Sequence, residues 1–168
     1  VAARQCQIAA ENGRFGLLPL TLCGICYAGL LGRFIPPEVF SSWLLALGAM
    51  VLARVLVLAG HSRIESIGRK RWLIFNALSL LGVGACLGVS TLWLTFPQET
   101  WVLAVVNLWL GGLACGALLG QGIVRWQGLA FAVPALAPLQ VRLLASGDPT
   151  LLGLGIGNTR AITRIDVA

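Results

Sequence analysis

Charge is what this chain has least of. Of its 168 residues, 12 are Lys or Arg, 6 are Asp or Glu and one is His, so that 11% are charged. Soluble domains carry about a quarter. With a mean hydropathy of +0.89, a water-soluble globule is excluded, and so is a disordered chain, which would be polar and charged. The six acidic residues, Glu11, Glu38, Glu65, Glu99, Asp148 and Asp166, all fall outside the centres of the apolar runs. Proton-coupled pumps and transporters work through intramembrane carboxylates or histidines, so a small transporter half is disfavoured. The single His61 has no second histidine at ligand spacing, which leaves a zinc site without support. HExxH, a P-loop and a Ser–His–Asp set with a plausible third member are all missing, and no catalytic role is expected. The net charge of +6 comes from basic residues placed between apolar runs. It does not form a basic surface interleaved with aromatics, so nucleic acid is not an expected partner.

Long apolar runs are what the chain has instead. One crossing of a core about 30 Å thick takes roughly 20 helical residues. Five runs meet that length: 15–34, 39–60, 72–96, 101–124 and 127–145. Ile35-Pro36-Pro37-Glu38, the charged segment 61–71, Pro97-Gln98-Glu99-Thr100 and Arg125 separate them. After the turn Ser146-Gly147-Asp148-Pro149 comes a sixth piece, 150–157, with only about 12 Å of helix in it. The expected fold is therefore all-α: a polytopic transmembrane helix bundle of five spans plus a short sixth (15–157). An N-terminal cytoplasmic segment (1–14) precedes it and a polar tail (158–168) follows. No cleavable leader is expected, since 1–14 is mixed polar and the run after it is long enough to span. The initial Val1 fits a start inside a longer reading frame or an alternative start.

Basic residues set orientation. With the N-terminus inside, Arg4, Arg14, Arg63, Arg69, Lys70, Arg71 and Arg125 are cytoplasmic, against Arg33 and Arg142 on the other face. A sixth crossing adds Arg160 and Arg164 to the inner set, so charge favours six crossings more than local hydropathy does. Trp72 and Trp126 are expected at the inner interface and Trp43, Trp93 and Trp101 near the outer one. The expected location is a bacterial inner membrane.

Arg54 is the most informative residue, about 9 Å from the inner end of its run. An arginine at a helix centre costs at least ~2.5–3.5 kcal/mol on insertion scales. It either snorkels or pairs with carbonyls, or is a buried switch charge with Asn76 as partner. Ser90, Thr91, Asn107, Gln140 and Arg142 form a second polar group expected in the outer leaflet. They serve either as interhelical glue, worth about 0.6 kcal/mol per hydrogen bond, or as the lining of a pocket open to the outer face. Gly84 and Gly88, and Gly112, Gly116 and Gly120, recur at four-residue spacing. Such stripes let helix backbones approach, inside one chain or across a homodimer seam. Pro134 and Pro138 free the carbonyls of Ala130 and Pro134 and kink the fifth run, as a moving part or a static bend.

The five cysteines are an odd set. Cys23-Gly-Ile-Cys26 reads either as two small residues on one helix face or as a redox or metal pair, and Tyr27 after it rules out the haem-attachment pattern. No cofactor is expected, although a lipid, quinone or pigment held by apolar contacts would leave no motif.

The order of features resembles the N-terminal multispan sensor modules that precede histidine-kinase, PAS or diguanylate-cyclase domains in many proteobacteria. The matching parts are Pro36-Pro37 with Trp43 following, Leu52-Ala53-Arg54-Val55-Leu56, Arg71-Trp72 and the glycine-rich fourth run. Phe131-Ala132-Val133-Pro134-Ala135-Leu136-Ala137-Pro138 and then Arg142 and Gly147-Asp148 complete the series. The resemblance implies a six-helix bundle with both ends cytoplasmic that passes a signal to an output domain. It departs in the short sixth run and in the lack of an output domain within 168 residues. The functional expectation is a non-catalytic signal-input module working by helix rearrangement in a homodimer. The alternative is an accessory subunit packed among the helices of a larger photosynthetic or respiratory membrane complex.

Overall fold

Apolar surroundings offer backbone N–H and C=O groups no partner, so the chain must satisfy them itself, and the helix does so within one segment. The computed structural model describes residues 2–60, 68–93, 100–120 and 125–145, with Gly153 and Ile156 beyond them. The described residues form five helices: α1 (Ala2–Leu31), α2 (Pro37–Ala59), α3 (Arg69–Trp93), α4 (Thr100–Gly120) and α5 (Arg125–Ala145). Four hold stretches long and apolar enough to cross a membrane, Gln7–Leu31, Pro37–Ala59, Arg69–Leu92 and Trp126–Ala145. The described apolar stretch of α4, Ala104–Leu118, is shorter. The sixth segment 150–157, the charged loop 61–67, the Pro97 break, the turn 146–149 and the tail 158–168 lie outside the described residues, Gly153 and Ile156 apart.

Local chemistry sets the ends. Pro37 opens α2 at a position where no N–H is needed, with Glu38 in the first turn, and Phe40 N donates to Pro36 O at 2.9 Å. Gly68 precedes α3 at φ +86°, a conformation open to glycine, and its carbonyl accepts from Trp72 N at 3.1 Å. The helix α1 begins at Ala2, upstream of the apolar run that starts at Phe15. Two contacts, one local and one long-range, carry it through the mixed-polar stretch. Gln7 Nε2 donates to Glu11 Oε1 at 3.1 Å, one turn on, and Ala9 and Ala10 bury themselves against Leu58 and Trp72.

Close contacts give the relative directions. Gly13 lies beside Leu58 and Tyr27 beside Trp43, so α1 and α2 are antiparallel. Trp43 Nε1 donates to Cys86 O at 2.8 Å and Trp72 Nε1 to Val57 O at 3.0 Å, which makes α3 antiparallel to α2. Gly84 meets Phe131 and Gly88 meets Pro134, so α5 runs parallel to α3, while Gly128 against Leu118 sets α4 antiparallel to α5. The most extensive packing is between α3 and α5; α1 completes the ring by touching α2, α3 and α4.

Trp43 and Trp72, expected near the two interfaces, have their side chains inside the bundle. Both are buried between helices, because each indole N–H finds a main-chain carbonyl on the neighbouring helix and the ring can enter the core. Trp126 is half exposed. The side chains of Trp93 and Trp101 lie outside the described residues.

Candidate functional site: a buried arginine beside an apolar cleft

The core is not continuous. One apolar cluster draws on all five helices, from Tyr27, Leu47 and Leu80 to Val106 and Phe131. A smaller one contains Ala9, Ala10, Leu58 and Trp72. Between the two, at the level of Arg54 on α2, lies a polar layer. Arg54 is 3% exposed, and its Nη1 donates to Asn76 Oδ1 and to Ser79 Oγ, each at 3.3 Å. Ser79 Oγ donates in turn to Asn76 O at 2.8 Å. Asn76 Nδ2 donates to Gln127 Oε1 at 3.0 Å, and Gln127 Nε2 to Leu73 O at 3.2 Å. Three helices, α2, α3 and α5, are thereby joined by side chains that find their partners in one another.

The guanidinium turns inward, so Arg54 does not snorkel. Asn76 Oδ1 and Ser79 Oγ lie one helical turn apart on α3 and offer it two acceptors in place of headgroups. Among the described residues no carboxylate pairs with it. No hydrogen bond is formed by its Nε or Nη2 among them either, and Nη2 lies beside Gly13 of α1.

Arg54 also forms part of the wall of a cleft of about 640 Å³. Its long sides are α1, through Asn12, Gly16, Pro19 and Cys23, and α4, through Leu108, Trp109, Gly112 and Gly116. Leu80 of α3 and Phe131 of α5 line it as well. The cleft exists because small or kinked residues face each other there. Pro19, inside α1, leaves the Phe15 carbonyl without its usual intrahelical donor. A Cβ on Gly16, Gly112 or Gly116 would meet no atom within 4 Å. The α4 glycines thus line open space in this chain instead of a helix contact. Gly120 ends α4, and its surroundings lie outside the described side chains.

Gly84 and Gly88 behave differently. A Cβ on either would run into the main-chain oxygen of α5, of Phe131 at Gly84 and of Pro134 at Gly88. Both Pro134 and Pro138 sit inside α5. The carbonyl that Pro138 leaves without its helical donor is that of Pro134, the one facing Gly88.

None of the second polar group lines the cleft. Ser90 Oγ bonds Tyr27 Oη at 3.0 Å and donates to Leu87 O at 2.6 Å. Thr91 Oγ1 donates to Gly88 O, and Arg142 Nη1 to Thr91 O. Asn107 is buried, whereas both amide atoms of Gln140 are buried without a hydrogen-bond partner among the described residues. Cys23, Cys26, Cys86 and Cys115 are free thiols, and no group of three metal-ligating side chains occurs among the described residues. His61 lies outside them.

Sequence reasoning missed Ser79, Gln127, Tyr27 and Asn12. The spacing of Asn76 and Ser79, one turn apart, was the available signal for the first. No family model, curated protein or solved structure matches the chain. What the fold and site define is a class: an all-helical bundle whose apolar helices are compatible with a lipid bilayer, with a buried cation at the wall of an apolar cleft.

Proposed function

We propose that the chain is a non-catalytic signal-input module of a bacterial inner membrane, its N-terminus cytoplasmic, which converts occupancy of the α1–α4 cleft into helix rearrangement within a homodimer. The observation that carries this reading is Arg54. A charge this deep is costly, and charges kept at such depth mark functional sites. Here it is anchored to α3 and α5 and keeps donors toward a cleft that α1 bounds. Closing α1 and α4 around a guest would move α1 against a trunk of α2, α3 and α5 cross-linked by hydrogen bonds. The order of sequence features shared with multispan sensor modules supports the same reading, and the excess of basic residues on one side supports the orientation.

A second reading is favoured by one specific observation. Phe15, Leu45 and Leu108 are 82%, 78% and 78% exposed on three different helices, surface that other subunits of a membrane complex would cover as well as lipid does. Native partners separate the two. Purification from the source membrane in mild detergent, with cross-linking, is expected to give self-pairs and a signalling output domain or protein. Foreign membrane subunits at stoichiometric yield would overturn the sensor reading in favour of the accessory one. For orientation, Ser66→Cys in intact cells should resist an impermeant thiol reagent, and ready labelling would reverse the topology.

A further inference from the structure

We infer that the α1–α4 cleft holds the acyl chain of a single-chain anionic amphiphile whose carboxylate is bound by Arg54, a long-chain fatty acid. The inference deepens the reading of the cleft as an input site and rests on it for its role in signalling, though not for binding itself.

Shape comes first. The wall runs from Asn12 to Cys23 on α1 and from Val105 to Ala117 on α4, an elongated space of about 16–18 Å along the helix axes. Its volume of about 640 Å³ falls within the range of roughly 300–1,000 Å³ for small-molecule sites.

Polarity is then distributed along that length. Because α1 and α4 are antiparallel, Asn12 and Ala117 share one end, and Arg54 reaches it beside Gly13. The far end is lined by Cys23, Val105 and Leu108. A cleft with one cationic end and an apolar remainder matches a guest with one anionic head and one apolar tail.

The charge selects among guests. Arg54 is nine-tenths buried and more and, among the described residues, has no carboxylate partner and donates only through Nη1. The planar fork that remains suits a carboxylate, which takes parallel N–H donors from it. A neutral carbonyl guest would satisfy a donor and leave the buried charge uncompensated. A phospholipid would supply an anion, but brings a second chain to be housed beside the first in one cleft of about 640 Å³.

Trp109 in the wall gives a direct readout. Full-length protein in detergent is titrated with dibromostearate, and the quenching assigned to Trp109 is taken as the difference from Trp109→Phe. Saturable quenching is expected. Gly112→Leu fills the cleft and leaves the Arg54 network untouched. Arg54→Leu removes the charge. Each is expected to weaken the apparent affinity at least about tenfold, a difference of about 1.4 kcal/mol, with helix content by circular dichroism unchanged. Arg54→Lys should retain part of the binding. The methyl ester of the same acid should bind about tenfold more weakly. Equal quenching by acid and ester, or identical quenching in wild type and Gly112→Leu, would mean partition into detergent only and overturns the proposal. Saturation by dibrominated phosphatidylglycerol at lower mole fraction than the acid would overturn it in favour of a phospholipid site. Binding is read on the purified chain, so foreign partner subunits would remove the signalling role and leave this result standing. Lost binding with intact self-pairing would remove the ligand alone.

Discussion

Among the described residues Arg54 is held on one side only, and the cost of that arrangement is measurable. Its Nη1 leans on Asn76 and Ser79, and Asn76 hands the chain on to Gln127. Replacing Asn76 by Ala strands two buried groups at once, the arginine donor and the Gln127 acceptor, where one buried polar group left unsatisfied costs about 1–3 kcal/mol. With two groups stranded, unfolding of Asn76→Ala in mixed detergent should show a loss of about 2–6 kcal/mol. A cycle with Gln127→Ala should give a coupling of about 0.5–3 kcal/mol, because the two amides share a bond. Simple additivity would mean that the layer is a set of independent pairs. Arg54 and Asn76 are legible in the sequence since a charge and an amide stand out inside apolar runs. Gln127 is not, because it falls at the polar border of its run, where solvent is the expected partner. Nor is the cleft, whose wall uses the same Leu, Gly, Pro and Phe that fill a core. Composition distinguishes apolar from polar and says nothing about which apolar surfaces touch.

At the scale of elements, the two glycine stripes look alike in sequence and have opposite surroundings. Gly84 and Gly88 bring α3 onto the α5 main chain, so a methyl group must push the helices apart. Overpacking of this kind costs about 1–3 kcal/mol. Gly112 and Gly116 face open space, and alanine there gains helix propensity of up to about 1 kcal/mol. The prediction is a contrast. Gly88→Ala should lower the midpoint of detergent-induced unfolding, while Gly116→Ala should hold or raise it; equal losses at both would mean that α4 packs as tightly as α3. The helices themselves follow from run length and from Pro and Gly punctuation, and α2 and α3 start at the Pro and Gly that sequence supplies. Where α1 begins was harder to read. Its first turns are polar by composition yet have Ala9 and Ala10 on a buried face, and the partners that bury them, Leu58 and Trp72, come from distant parts of the chain. The two tryptophans show the same difficulty: an indole suited to an interface is equally suited to a core that offers a carbonyl.

Taken as a whole, the molecule divides into a trunk and an arm. The trunk is α2, α3 and α5, tied by the indole bonds of Trp43 and Trp72, by the polar layer and by the α3–α5 glycine contact. The arm is α1, with Phe15, Leu18, Leu22 and Ile25 exposed, a proline in its middle and the cleft along its inner side. Among its described residues Ala9, Ala10, Gly13, Tyr27, Ala28 and Leu31 are the buried ones, and Tyr27 ties its far end to the trunk through Ser90 at 3.0 Å and the Trp43 ring. Elements with few buried contacts populate alternative positions most readily. Motion of α1 against α4 is therefore the low-energy rearrangement, and motion of α3 against α5 the costly one. Spin-label pairs on exposed positions test this directly, one at Leu22 and Leu108 across the cleft and one at Val89 and Val133 across the trunk. In a cysteine-free background, the first pair should give a broad distance distribution that shifts when Gly112→Leu fills the cleft. The second should stay narrow and unmoved. A narrow, unshifted distribution across the cleft would make α1 a fixed wall, and a signal entering there would have no element to move.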